Sequence, residues 1–148
     1  MNDFLETMVG KFIFKVPSDR LYSEEGVWAL FEDGMVRVGL SDFLQQRSGD
    51  IAFADLASIG SQLSIGDTLA DIETIKVDLS VATPLSGQVV EVNASLEEEP
   101  ELINQDPYGQ GWLAVLEPGD WAKDRENLLS PQAYFERMQA EAEEEAGK

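Results

Sequence analysis

A chain of 148 residues, 43% of them hydrophobic, is long enough to bury one apolar core. It has no cysteine and no histidine, which removes disulfides, thiolate metal sites and cysteine nucleophiles, and with the imidazole most serine and cysteine hydrolases and transition-metal centres. With 29 acidic against 10 basic residues, the net charge of −19 argues against nucleic acid or an anionic membrane as partner, since cationic side chains would have to replace counterions there. It suits a well-solvated surface and, less directly, steering toward basic rims on partner proteins.

The first twenty residues, with Lys11, Lys15 and Arg20, hold much of the scarce positive charge and read as an extension packed on the body. Val27 to Glu32 and Met35 to Leu40 are strand-like runs joined by Asp33-Gly34, a pair suited to a tight hairpin turn. Asp42 with Gln45 resembles a capping box and Gly49 a helix end, predicting a short helix from Ser41 to Ser48. From Ile51 onward, short β segments broken by Gly60, Gly66, Pro84 and Gly87 predict a small sandwich or barrel. Strands are expected at Leu69 to Ile75, around Val77, Leu79 and Val81, and at Gln88 to Asn93. Ser95 with Glu98 reads as a second capping box opening an acidic helical turn toward Leu102 and Ile103, and Trp112 to Leu116 as a strand. Ser130 and Pro131 start a last helix whose Tyr134, Phe135 and Met138 form a docking stripe, followed by a solvated, frayed acidic end. No apolar run approaches a membrane span and nothing resembles a signal peptide, so a cytoplasmic protein is expected.

One residue departs from its surroundings. Of five lysines, Lys11, Lys15, Lys123 and Lys148 lie near the ends, and only Lys76 stands in the central β region, between two strand-like runs and so at or near a hairpin tip. An enzyme that must acylate one amine needs such a projecting lysine on a rigid turn. Taken alone, an isolated lysine between strands is more often a plain turn residue.

Asn104-Gln105-Asp106-Pro107-Tyr108-Gly109-Gln110-Gly111-Trp112-Leu113 resembles the C-terminal signature of the glycine cleavage H proteins, a family of lipoylated β-rich carriers. Glu73-Thr74-Ile75-Lys76 resembles that family's lipoylation hairpin, and Pro84-Leu85-Ser86-Gly87 with Val89 to Asn93 the strand after it. Tyr22, Glu24, Glu25 and Trp28 resemble its N-terminal region, and Val38 to Asp42 its first turn. The resemblance spans about Tyr22 to Trp121 and implies a mainly β fold, a lipoyl/biotinyl-type β-sandwich (barrel-sandwich hybrid) with short helices and a C-terminal helix. It implies an extension over residues 1–21, a lipoyl-carrier domain over 22–122 and a helix with an acidic end over 123–148. It makes Lys76 the attachment point for lipoic acid, in a carrier without catalysis of its own. Glu73 and Asp78 flank it for recognition by the lipoylating enzyme, a lipoate ligase or lipoyl synthase machinery.

Two positions depart from the glycine cleavage pattern: Gly26 and Phe43 stand where that family usually carries histidines. A less polar cleft would suit sulfur cargo, and the H-like lipoate-binding proteins of heterodisulfide-reductase-like sulfur oxidation fit these changes. The expected partners are that complex, or alternatively the glycine cleavage enzymes with an aminomethyl cargo, together with dihydrolipoamide dehydrogenase. Three other readings compete: an unmodified interaction module; a biotin carrier, which normally has methionines beside its lysine where this chain has Ile75 and Val77; and a carboxylate enzyme using Glu73 and Asp78. Trp28, Trp112 and Trp121 read as core or docking aromatics, and Glu97 to Glu99 as a solvated helix start.

Overall fold

A computed structural model describes residues 3–147. The strands are β1 (Phe4–Val9), β2 (Phe12–Pro17), β3 (Leu21–Tyr22), β4 (Val27–Glu32), β5 (Met35–Leu40), β6 (Ile51–Leu56), β7 (Gln62–Leu63), β8 (Thr68–Thr74), β9 (Asp78–Ala82), β10 (Gly87–Val92) and β11 (Ala114–Pro118). The α-helices are α1 (Asp42–Ser48), α2 (Leu102–Gln105), α3 (Trp121–Asp124) and α4 (Pro131–Ala146). A six-stranded sheet in the order β3-β4-β5-β11-β10-β7 and a three-stranded sheet β6-β8-β9 share one apolar core, in which Val38, Leu40, Leu69, Ile72, Leu85 and Leu116 are fully or almost fully buried. This mainly β architecture with a C-terminal helix is the expected fold class. Among the described residues no helix is long and apolar enough to cross a membrane.

The β4–β5 hairpin forms with the expected bounds, and its turn needs Asp33 at φ 54° and Gly34 at φ 80°, the positive dihedrals that aspartate and glycine tolerate. The first twenty residues carry more structure than the expected extension. β1 and β2 pair antiparallel, and the edge of β2 is tied to the body: Lys15 N–H donates to Asp42, the Gln46 side chain to Ile13 O, and Tyr108 OH to Lys15 O.

Both capping boxes are corrected. The α1 cap is Ser41, whose Oγ accepts from Leu44 N–H, while Asp42 lies inside the first turn and accepts from the Gln45 and Gln46 side chains. Asn93, rather than Ser95, caps a 3₁₀ turn over Ala94–Glu97, and α2 follows as a separate helix. Asn93 wins because its amide also donates to Gln110 O and Trp112 O, which fixes its carbonyl oxygen beside Ser95 N–H. The acidic end of α4 is not frayed: the helix runs to Ala146, with Glu141 and Glu145 both reaching Arg47.

A second apolar cluster, Tyr22, Trp28, Phe43, Tyr134 and Met138 with Phe14 and Val16, lies between the large sheet, α4 and the N-terminal hairpin. Tyr22 and Tyr134 stack at 4.6 Å; Tyr22 OH donates to Pro17 O, and Tyr134 OH shares a hydrogen with Ser41 Oγ. Burial holds the Tyr22 phenol well above its ordinary range and pushes Tyr134 up to about 12. In the unfolded chain both would ionise near pH 10. Between about pH 10 and 12 the unfolded state therefore binds fewer protons than the folded one, and stability falls as pH rises, by about 1.4 kcal/mol per unit for each phenol. A urea-midpoint series across this range, with tyrosinate absorbance as second probe, should show that decline, and a midpoint flat through about pH 11 would contradict it.

Candidate functional site

Lys76 sits in the turn between β8 and β9, exposed, with Ile75 at 75% and Val77 at 51% accessibility on either side. Thr74 builds the turn. Its Oγ1 accepts from Lys76 N–H at 3.1 Å and Val77 N–H at 2.9 Å and donates to Val77 O at 2.9 Å, while Thr74 N–H donates to the same carbonyl. The hydroxyl thus takes donors that a wider loop would leave to water, as serine and threonine do in tight turns. Ile75 N–H donates to Asp50 O, which joins the tip to the loop after α1.

That loop is the tip's support. Gly49 ends α1 at φ 92°, and a Cβ added there would lie 3.4 Å from Lys76 Cδ and Cε, so the lysine stem runs across a position that glycine leaves open. Asn104 holds the loop from behind, accepting from Ile51 N–H at 2.9 Å and donating to Gln45 Oε1 and Gly49 O at 3.0 Å. Asn104→Ala should orphan Gly49 O and Ile51 N–H and cost about 2–3 kcal/mol. Hydrogen exchange would report it as lost protection at Ile51, ahead of β4 and β5; uniform loss across the chain would remove Asn104 from this positioning role.

Glu73 and Asp78 stand directly opposite one another on the exposed face of the small sheet, at the base of the tip, with exposed Phe53 opposite Glu73 on the other side. Like charges facing across strands cost stability. The structure brings these two acids together but places neither against the lysine amine.

Along the other side of the hairpin runs an open groove of about 650 Å³. It is lined by Val77 and Leu79 of the hairpin, by Leu44 and Ser48 of α1, and by the charged side chains of Glu24, Glu25, Arg47, Arg137 and Glu141. None of these had been singled out for such a role, because the groove is assembled from four segments distant in the chain. Thr74 had a local signal, a hydroxyl two residues before an exposed lysine.

Phe43 does not line this groove. It packs edge-on against Phe14, with ring centres 5.4 Å apart, in the second cluster. At Gly26 a Cβ would meet Ser41 Oγ and Tyr134 OH at 2.8 Å, a site where close packing and φ 98° both require glycine. The two departures thus alter buried packing instead of cleft polarity, and the expectation that they favour sulfur cargo loses its physical basis.

The family model described as glycine cleavage H-protein matches residues 20–141. The chain belongs to this family. It is 43% identical over 119 residues to the glycine cleavage system H protein of Oceanobacillus iheyensis, covering 80% of this chain and 94% of that one. It is 39% identical over 127 residues to that of Thermus thermophilus, covering 86% and 98%. Among solved structures, a glycine cleavage system H protein from Mycobacterium marinum aligns with a TM-score of 0.73 at 32% identity, covering 82% of this chain and 98% of that one. These relatives all carry glycine cleavage names, so the comparisons favour the glycine cleavage reading over the sulfur-oxidation one.

Proposed function

We propose that this chain is a lipoyl carrier of the glycine cleavage system, with Lys76 as attachment residue. The observation that carries the reading is the coincidence of family membership with one exposed central lysine on a turn fixed by Thr74 and Asp50. The residues present fit the group: the amine is reachable, its stem has a bed at Gly49, and a groove begins beside it at Val77. When attached, the dithiolane would supply the redox and group-carrying chemistry.

What the chain itself contributes is presentation. The rigid turn limits where the amine can be found, and tethering turns a bimolecular delivery into a local one at high effective concentration. Glu73, Asp78 and the apolar flank of Ile75 and Val77 form the surface that a lipoylating enzyme would read. Leu44, Leu79 and the carboxylates of Glu24, Glu25 and Glu141 form a resting place with apolar side chains for an alkyl arm and anionic groups for the ammonium of an aminomethyl cargo. Glycine cleavage enzymes, dihydrolipoamide dehydrogenase and a lipoate ligase or lipoyl synthase machinery are the partners this role requires.

Intact-mass and peptide mass spectrometry on protein from a lipoate-competent host tests the reading. One lipoyl group on the peptide containing Lys76 is expected; a bare Lys76 would return the chain to an unmodified interaction module.

A further inference from the structure

The chain is poor in cations, yet apart from Arg20 with Asp19 every ion pair among the described residues is made by Arg47 or Arg137, both of which line the groove beside Lys76. They form a ladder. Arg137 Nη2 lies 3.9 Å from Glu24 Oε2 and Arg137 Nε 3.5 Å from Glu141 Oε1; Arg47 Nη1 lies 3.8 Å from Glu141 Oε2 and Arg47 Nη2 3.0 Å from Glu145 Oε1. All four distances exceed the span of about 2.7–2.9 Å at which charge-assisted hydrogen bonds close, three of them by more than half an ångström. Both guanidiniums are about half exposed. Such pairs are weak and exchange readily.

We propose that Arg137 and Arg47 are charge-specificity residues of the groove, counter-ions that an ammonium at the end of the Lys76 arm must displace from Glu24 and Glu141 in order to dock. This rests on the carrier reading above. Carboxylates alone would hold a cationic cargo firmly, whereas carboxylates already shared with guanidiniums hold it loosely enough to be surrendered to the next enzyme. The geometry divides the labour. Arg137 bridges the turn before β4 and its own helix, so it can yield Glu24 and keep Glu141, its neighbour one helical turn on. Arg47 then keeps Glu145, and α4 stays attached while the groove opens.

The test uses the lipoylated full-length protein. A water-soluble phosphine with one water reduces the dithiolane to two thiols, the phosphine taking the water's oxygen as its oxide and the sulfurs its two hydrogens. One thiol then condenses with formaldehyde and ammonia, forming a C–S and a C–N bond, S–CH₂–NH₂, and releasing water without further redox change. Intact mass follows how long the aminomethyl group is retained in the unaltered chain, in Arg137→Gln and in Arg137→Lys. Arg137→Gln is expected to retain it about two- to fivefold longer at low ionic strength, the ratio an exposed ion pair is worth, with the difference shrinking at about 0.5 M salt. Arg137→Lys should behave as the unaltered chain does. The Arg137 Nε–Hε resonance should shift on loading and stay put on reduction alone. Equal or shorter retention in Arg137→Gln, or an unmoved resonance, overturns the proposal and leaves the carrier reading standing. A chain that takes neither lipoate at Lys76 nor the aminomethyl group overturns that reading, and this inference with it.

Discussion

Replacing Lys76 with arginine should abolish acylation of the protein while leaving its melting temperature unchanged. The side chain is exposed and the turn is held by the Thr74 hydroxyl and by backbone, none of which depends on the amine. Arginine keeps the charge and much of the stem that crosses Gly49. What it removes is the nucleophile, because a guanidinium with a pKa above about 12 has no free lone pair to offer at neutral pH. Incubation with a lipoylating enzyme, read by intact mass, should give full conversion of the unaltered chain and none of the variant, with superimposable thermal melts. Acyl transfer to Lys11, Lys15 or Lys123 in the variant would show that the position does not select the amine, and the carrier reading would lose its residue.

The largest effect on stability is expected at Trp28. Its side chain is fully buried, its indole N–H donates to Pro107 O at 3.0 Å, and Gly39 lets it lie flat on β5, where a Cβ would come within 2.6 Å of the ring. Arg20 lies over the ring, 4.7 Å from its centre. Trp28→Ala leaves a large cavity and an orphaned carbonyl, at a cost of about 3–5 kcal/mol, or roughly 6–20 °C in melting temperature for a chain of this size. Trp28→Phe fills most of the space and should lose only about 1–3 kcal/mol, chiefly the hydrogen bond. Equal losses in the two variants would mean that packing contributes little and the Pro107 contact nearly everything.

How far the sequence disclosed this architecture depends on how local each signal was. Asp33-Gly34 and Ser130-Pro131 each carry their instruction in two adjacent residues, and both elements appear where they were expected. The lysine tip was legible because one residue type was scarce there. The capping boxes failed for a different reason: Ser95 and Asp42 had the right chemistry, but Asn93 was better placed by the bonds its amide donates to Gln110 O and Trp112 O, and Ser41 by the hydrogen it shares with Tyr134 OH. The β1–β2 hairpin was hidden because apolar residues sit on both its faces, leaving Phe4, Met8 and Ile13 exposed, so no clean alternation marked it. Phe43 shows the limit of reading a substitution by position. A histidine replaced by phenylalanine implied a less polar cleft, and only the orientation of α1 reveals that the ring points into the second cluster. The groove had no local signature at all, since its charged lining joins the turn before β4 to two helices some ninety residues apart, a distance read from Arg47 and Arg137.

The second cluster also fixes an order of events during synthesis. Tyr22 bridges to Leu129 and stacks on Tyr134, and Met138 and Ala142 close the same cluster, so the N-terminal hairpin, which α1 and Tyr108 can already hold by its β2 edge, gains its remaining partners only after α4 has left the ribosome. Until then Trp28 and Phe43 would have one side uncovered, while the two sheets, complete by Pro118, can already close around their own core. The attachment turn belongs to that earlier body. Its lysine can therefore be displayed before the chain is finished, whereas the groove, which needs Arg137 and Glu141, comes into being only at the last step.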